Sequence, residues 1–159
     1  MTIQEKTIIT PLPTVDLLHK REQRWHITLP NDYRDFIINN NGGVPNELSF
    51  VCNDHSYAVT RFLCVLENYK ESQLGWYDIS VVISQIEERL TDNLDLIGVD
   101  VLPIAELFAG DYVCLDYRTD INNPSICIWS HEESGEFAPV TYKVADSFAE
   151  FLSMLRKDK

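Results

Sequence analysis

From Val101 to Val144 the chain reads VLPIAELFAGDYVCLDYRTDINNPSICIWSHEESGEFAPVTYKV. Four short runs rich in β-branched and aromatic residues stand out: Val101–Ile104, Tyr112–Tyr117, Ser125–Trp129 and Val140–Val144. Between them lie Ala109-Gly110-Asp111, Asp120 to Pro124 and Glu132 to Glu136, built from residues that favour turns. Spacers this short cannot hold a crossover helix, so the strands are expected to pair antiparallel as hairpins.

Working outward, helical periods flank this block. Upstream, Ile79, Val82, Ile83, Ile86 and Leu90 recur at i, i+3, i+4, i+7 and i+11, which predicts a helix beginning near Asp78. Downstream, Ser147 with Glu150 three residues on reads as a capping box, and Phe148, Phe151, Leu152 and Leu155 supply a buried face. Nearer the N-terminus, apolar runs at Leu48–Cys52 and Ala58–Leu66 read as strands. Leu29-Pro30 opens a helix whose stripe is Tyr33, Phe36 and Ile37, and Asn41-Gly42-Gly43 stops it, because glycine enters the left-handed region freely. A first helix is capped by Thr14, with Val15, Leu18 and Trp25 inward and His19, Lys20, Arg21 and Arg24 solvated. Helices, then strands with one helix inserted, then a helix: the order is α+β, a mostly antiparallel sheet packed by about four helices. No repeat or linker divides residues 1–159, so a single domain with its core at about 14–156 is expected.

The charge narrows the partners. Twenty-five acids face 13 bases, for a net charge of -12, which disfavours nucleic acid and anionic membrane and favours a basic protein. Residues 1–40 are neutral, five acids against five bases, whereas Asp78 to Asp120 hold ten acids against Arg89 and Arg118 alone, and Glu132, Glu133 and Glu136 follow in one loop. No long apolar run suggests a signal or a membrane span, and Cys52, Cys64, Cys114 and Cys127 sit inside apolar runs as core thiols. A cytoplasmic location is the expectation.

Catalytic templates do not fit. The position four residues after His131 is Gly135, not the second histidine of a zincin, and His19, His26, His55 and His131 share no ligand spacing with the cysteines. Gly42-Gly43 follows a helix, whereas a phosphate loop follows a strand. Asp111 and Asp116 are the best carboxylate pair; an inward acid can do acid–base work, but more often such a residue caps a turn. We expect no enzyme activity, no cofactor and no metal. Trp76 and Tyr77 read either as interface anchors or as a clamp of the helix onto the sheet.

One resemblance draws these pieces together. Leu29-Pro30-Asn31-Asp32-Tyr33-Arg34-Asp35-Phe36-Ile37, then Asn41-Gly42-Gly43 and Pro45, resembles the "LP-x-DY-x-x-F" to "NGG-x-P" signature of the SUKH (Smi/Knr-like) superfamily. Leu102-Pro103-Ile104-Ala105, Gly110-Asp111, Leu115-Asp116, Pro124-x-Ile126 and His131-Glu132 resemble its second block. Val144 to Leu152 resembles its closing helix. The resemblance implies an α+β fold without enzymatic activity, in which Pro30, Tyr33, Phe36, Gly42, Gly43, Gly110 and Asp111 maintain structure. In bacteria such proteins often serve as immunity proteins beside polymorphic or contact-dependent toxins, frequently nucleases; others are regulatory scaffolds and protein-binding hubs. Residues 57–96 match none of this pattern, so specificity is expected there.

The functional expectation is therefore an immunity protein that neutralises a cognate toxin effector domain through an acidic surface. Glu87, Glu88, Asp92, Asp95 and Asp100 are its candidate contacts, and Trp76 or Tyr77 its aromatic anchors. The alternative is a non-enzymatic scaffold. Either a monomer or a homodimer fits, although no coiled-coil seam or long exposed apolar strand argues for the dimer.

Overall fold

The computed structural model describes residues 1–158. Its elements run β1 (Ile3–Gln4), α1 (Val15–Trp25), α2 (Asn31–Asn40), β2 (Val44–Pro45), β3 (Ser49–Cys52), β4 (His55–Phe62), α3 (Ile79–Leu90), β5 (Val101–Leu107), β6 (Tyr112–Asp116), β7 (Ser125–Trp129), β8 (Thr141–Ala145) and α4 (Phe148–Met154). β3 to β8 form one six-stranded antiparallel sheet in sequence order, and β1 and β2 form a second, two-stranded one. The expected α+β class and antiparallel pairing both hold, and α3 is the helix inserted between β4 and β5.

Alternation along the central strands divides the core. Val113 and Leu115, paired with Ile128 and Ile126 of β7, and Tyr117 just past β6 join the main cluster with Leu18 and Trp25 of α1, Tyr33, Phe36 and Ile37 of α2, and Phe148 and Phe151 of α4. The intervening Cys114, Cys127 and Trp129 join Val101 and Leu90 in a smaller cluster against Ile83 and Ile86 of α3. Tyr33 and Phe36 meet Phe148 edge-on, with centroids 5.1 Å apart in each pair, so the Tyr33–Phe36 stripe docks the closing helix. All four cysteines are buried and free.

Gly42 stands at φ +66, and a Cβ there would lie 2.5 Å from Ile9 Cδ1, so the helix stop also admits the N-terminal segment. Asn53 and Asp54, both at positive φ, close the β3–β4 hairpin in two residues. The sheet then curls until Cys52 Sγ on β3 lies 3.4 Å from the Lys143 carbonyl on β8, bringing its edges together.

Several expectations need correction. The segment before Thr14 belongs to the core: Ile9 is buried, and its N–H donates to the Asn41 carbonyl at 2.7 Å. Val15, expected inward, is 52% exposed. β4 starts at His55 and stops at Phe62, although the apolar run continues to Leu66. Beyond Phe62 the backbone stays buried, but several of its donors turn away from a strand ladder. Cys64 N–H goes to the Tyr77 carbonyl, Val65 N–H to Asn41 Oδ1 and Leu66 N–H to Asp78 Oδ2.

The largest correction is Arg21, expected on the solvated face of α1 but only 4% exposed. Its Nη1 donates to Asp78 Oδ1 and Ser80 Oγ, both at 2.9 Å, and its Nη2 donates to the Leu66 carbonyl at 2.7 Å and Asp78 Oδ2 at 3.1 Å. Asp78 is fully buried and also accepts from Ser80 N–H, capping α3. We expect Arg21→Met, which strands the Asp78 carboxylate, to destabilise the fold by about 3–5 kcal/mol. Urea unfolding of the variant beside the parent chain measures it.

Candidate functional site

The expected contact residues do not form one patch. Trp76 precedes α3 and Glu87 and Glu88 lie in its last turns, so most of the helix, about 18 Å long, separates them. Trp76 is 67% exposed, as an anchor would be, whereas Tyr77 is half-buried with the Arg61 guanidinium 5.0 Å above its ring. Tyr77 is therefore the clamp and Trp76 the exposed aromatic. The Tyr77 carbonyl, accepting from Cys64 N–H at 2.9 Å, ties this clamp to the chain leaving β4.

Glu87, Glu88, Asp92, Asp95 and Asp100 do come together, around the C-terminal end of α3 and the loop that follows it. Glu87, Glu88, Asp92 and Asp95 are exposed and Asp100 is half-buried. Glu87, Glu88 and Asp100 line one cavity. Two tethers fix the loop: Asn93 N–H donates to Thr91 Oγ1 at 3.0 Å, and Val99 N–H donates to the Trp25 carbonyl at 2.9 Å. Gly98 makes the second tether feasible, because at φ +88 a Cβ would sit 2.2 Å from the Trp25 carbonyl oxygen.

A second acidic segment, the Glu132 to Glu136 loop, joins this end. Arg89 donates through Nη2 to the Ser134 carbonyl at 2.8 Å and also to the His131 carbonyl, and its guanidinium lies 5.1 Å over the Trp129 ring. Phe137 N–H donates to the Glu88 carbonyl at 2.6 Å. These bonds hold the loop bearing Glu132, Glu133 and Glu136 against α3. Arg89 is the one base in the last turn of α3, and its donors are spent on that loop.

The placement works against helix stability. The C-terminal end of a helix carries partial negative charge, so Glu87 and Glu88 sit where carboxylates cost free energy. Asp100 feels the same crowding: burial, with Asp116 and Asp92 nearby, pushes its carboxyl above the usual range although Arg118 pulls the other way. Asp116 is different. Burial raises it, but Arg118 outweighs that through Nε to Oδ1 at 2.9 Å and Nη2 to Oδ2 at 2.8 Å, and its carboxyl ends below the usual range. It is held as an ion pair, a poor arrangement for a general base. Asp111 Oδ1 accepts His131 N–H at 2.7 Å, joining the Gly110-Asp111 turn to the end of β7. Among the described residues, no group of three or more His, Cys, Asp or Glu side chains is placed to hold a metal ion. Nor, among them, is any helix long and apolar enough to cross a membrane.

The fold is an α+β domain built as a curled antiparallel sheet packed by helices. A family match makes the assignment specific: residues 16–152 match the SUKH_6 model, described as SMI1-KNR4 cell-wall, and the chain belongs to that family. No curated protein and no solved structure matches it.

Because the folded chain raises the Asp100 pKa, ionised Asp100 costs stability above that pKa, and the cost disappears as pH falls below the unfolded value. Asp100→Asn is thus expected to raise the melting temperature at pH 7, with the gain fading towards about pH 3, where both forms are neutral. Thermal melts of both chains across that range check the sign.

Proposed function

We propose that the chain is an immunity protein that binds and neutralises the basic effector domain of a cognate toxin. The reading is supported by membership in the SUKH family and carried by one observation, the gathering of carboxylates at the C-terminal end of α3. A protein that only needed solubility would gain as much from acids placed at helix N-termini, where they also stabilise. Acids grouped where they cost stability are expected of a surface that something else neutralises. A nuclease domain, whose active site is built to receive phosphates, presents such a cationic surface. The bound carboxylates would occupy the channel in place of the nucleic-acid backbone and shut out substrate.

The scaffold reading keeps one argument of its own. Trp76 is exposed at the far end of α3, away from the acids, and a second contact surface suits a protein that gathers several partners.

Growth rescue separates the two. Co-expression with the effector domain encoded beside this gene is expected to restore survival, whereas an unrelated toxin is not. In binding kinetics with that domain, Glu87→Lys with Glu88→Lys is expected to slow association about tenfold at low salt and to flatten its salt dependence. Unchanged association rates would remove this face, and absence of rescue by a well-folded chain would favour the scaffold.

A further inference from the structure

The acidic face has a hole in it. Between the C-terminal half of α3, the loop over residues 91–100 and Phe137 lies a cavity of ≈ 220 Å³. Its apolar walls are Ile83, Leu90, Leu94, Leu96, Val99 and Phe137, and Glu87, Glu88 and Asp100 line it too. Small-molecule sites run to roughly 300–1,000 Å³, so this volume suits an inserted side chain better than a free ligand.

The surroundings are unusually apolar for so charged a surface. Leu94 and Ile97 are each 74% exposed. Their exposure is set by the backbone: besides the tethers at Thr91 and Trp25, Asp95 N–H donates to Asn93 Oδ1 at 3.0 Å, and Leu96 N–H donates to the Asn93 carbonyl at 3.2 Å. A fixed loop thus presents two large apolar side chains to water beside an apolar cavity among carboxylates.

Charge selects the occupant. A second copy of this chain would bring the same carboxylates against these ones, on a chain of net charge -12. Nucleic acid is repelled for the same reason. A neutral apolar ligand would leave the carboxylates uncompensated as they lose water.

We propose that the cavity is an anchor slot for one apolar side chain of a protein partner, in a segment where lysine or arginine flanks that residue. The flanking cations lie on Glu87, Glu88 and Asp100, while Leu94 and Ile97 cover the stem of the inserted residue. The inference rests on the reading of the acidic face as the partner site and adds a division of labour. Carboxylates steer encounter, and the slot sets residence time.

The test uses the full chain, ¹⁵N-labelled, titrated with two capped hexapeptides, each with four arginines around a central pair. One pair is Leu-Gly and the other Ala-Gly. The leucine peptide is expected to shift the amides of Ile83, Leu94, Val99 and Phe137 saturably and to bind about tenfold tighter than the alanine peptide. Leu94→Ser, a change at an exposed position that leaves the fold intact, is expected to remove most of that ratio. Added salt should weaken both peptides together and preserve it. Equal affinity of the two peptides overturns the slot and leaves the acidic face standing. Failure of both to bind at low salt overturns slot and face together.

Discussion

The buried pair of Arg21 and Asp78 is the constraint on which the rest of the architecture hangs. One guanidinium from α1 meets the residue that caps α3 and the carbonyl that ends the chain's exit from β4. Three elements distant in sequence are fixed at one point, and nearly every polar atom there has a stated partner. Such a pair contributes little net stability over an apolar replacement of the same shape, but removing one member is expensive. Its effect is on geometry: it sets where α3 begins, and therefore where the far end of α3 delivers its carboxylates. The site at one end of the helix depends on a salt bridge at the other.

Asn41 plays a similar part for the N-terminal segment. Its side chain donates to the carbonyls of Ile9 and Val65 and accepts Val65 N–H, so a fully buried amide replaces a missing strand ladder. The Asn-Gly-Gly run is thus more than a helix stop. The asparagine bridges two segments, and the glycine after it leaves room for Ile9.

What the sequence disclosed and what it concealed follow from the range of each interaction. Gly42, the start of α3 near Asp78 and the Ile79–Leu90 stripe are local signals, and each appears where expected. Arg21 lies on a helix whose period says only which face it shares; the partner that buries it is 57 residues away. An arginine without a known partner reads as solvated, because that is the usual cost-free arrangement. Trp76 and Tyr77 are adjacent and chemically alike, and Arg61 stacking over Tyr77 alone separates their roles. For the candidate site, the acids could be counted in the sequence, but the cavity beside them could not. Leu94 and Ile97 in an acidic stretch were a visible hint, yet only the return of Phe137 to α3 forms the cavity wall.

Counting charge along the chain also misjudged which acids project a field. Asp78 is neutralised by Arg21, Asp116 by Arg118, and Asp111 turns one oxygen to His131 N–H. Among the described acids of that stretch, Glu87, Glu88, Asp92 and Asp95 lie open to solvent at one end of α3 without an ion pair. Asp100 beside them is partly buried, and burial first, with Asp116 and Asp92 adding to it, pushes its carboxyl above the usual range. Arg118 offsets only part of that rise, and Arg89 is committed to the neighbouring loop. On the proposed reading, a surface field of this kind would attract any basic protein; telling one from another would require a feature that charge lacks, and a shaped apolar cavity within the acidic rim would supply one.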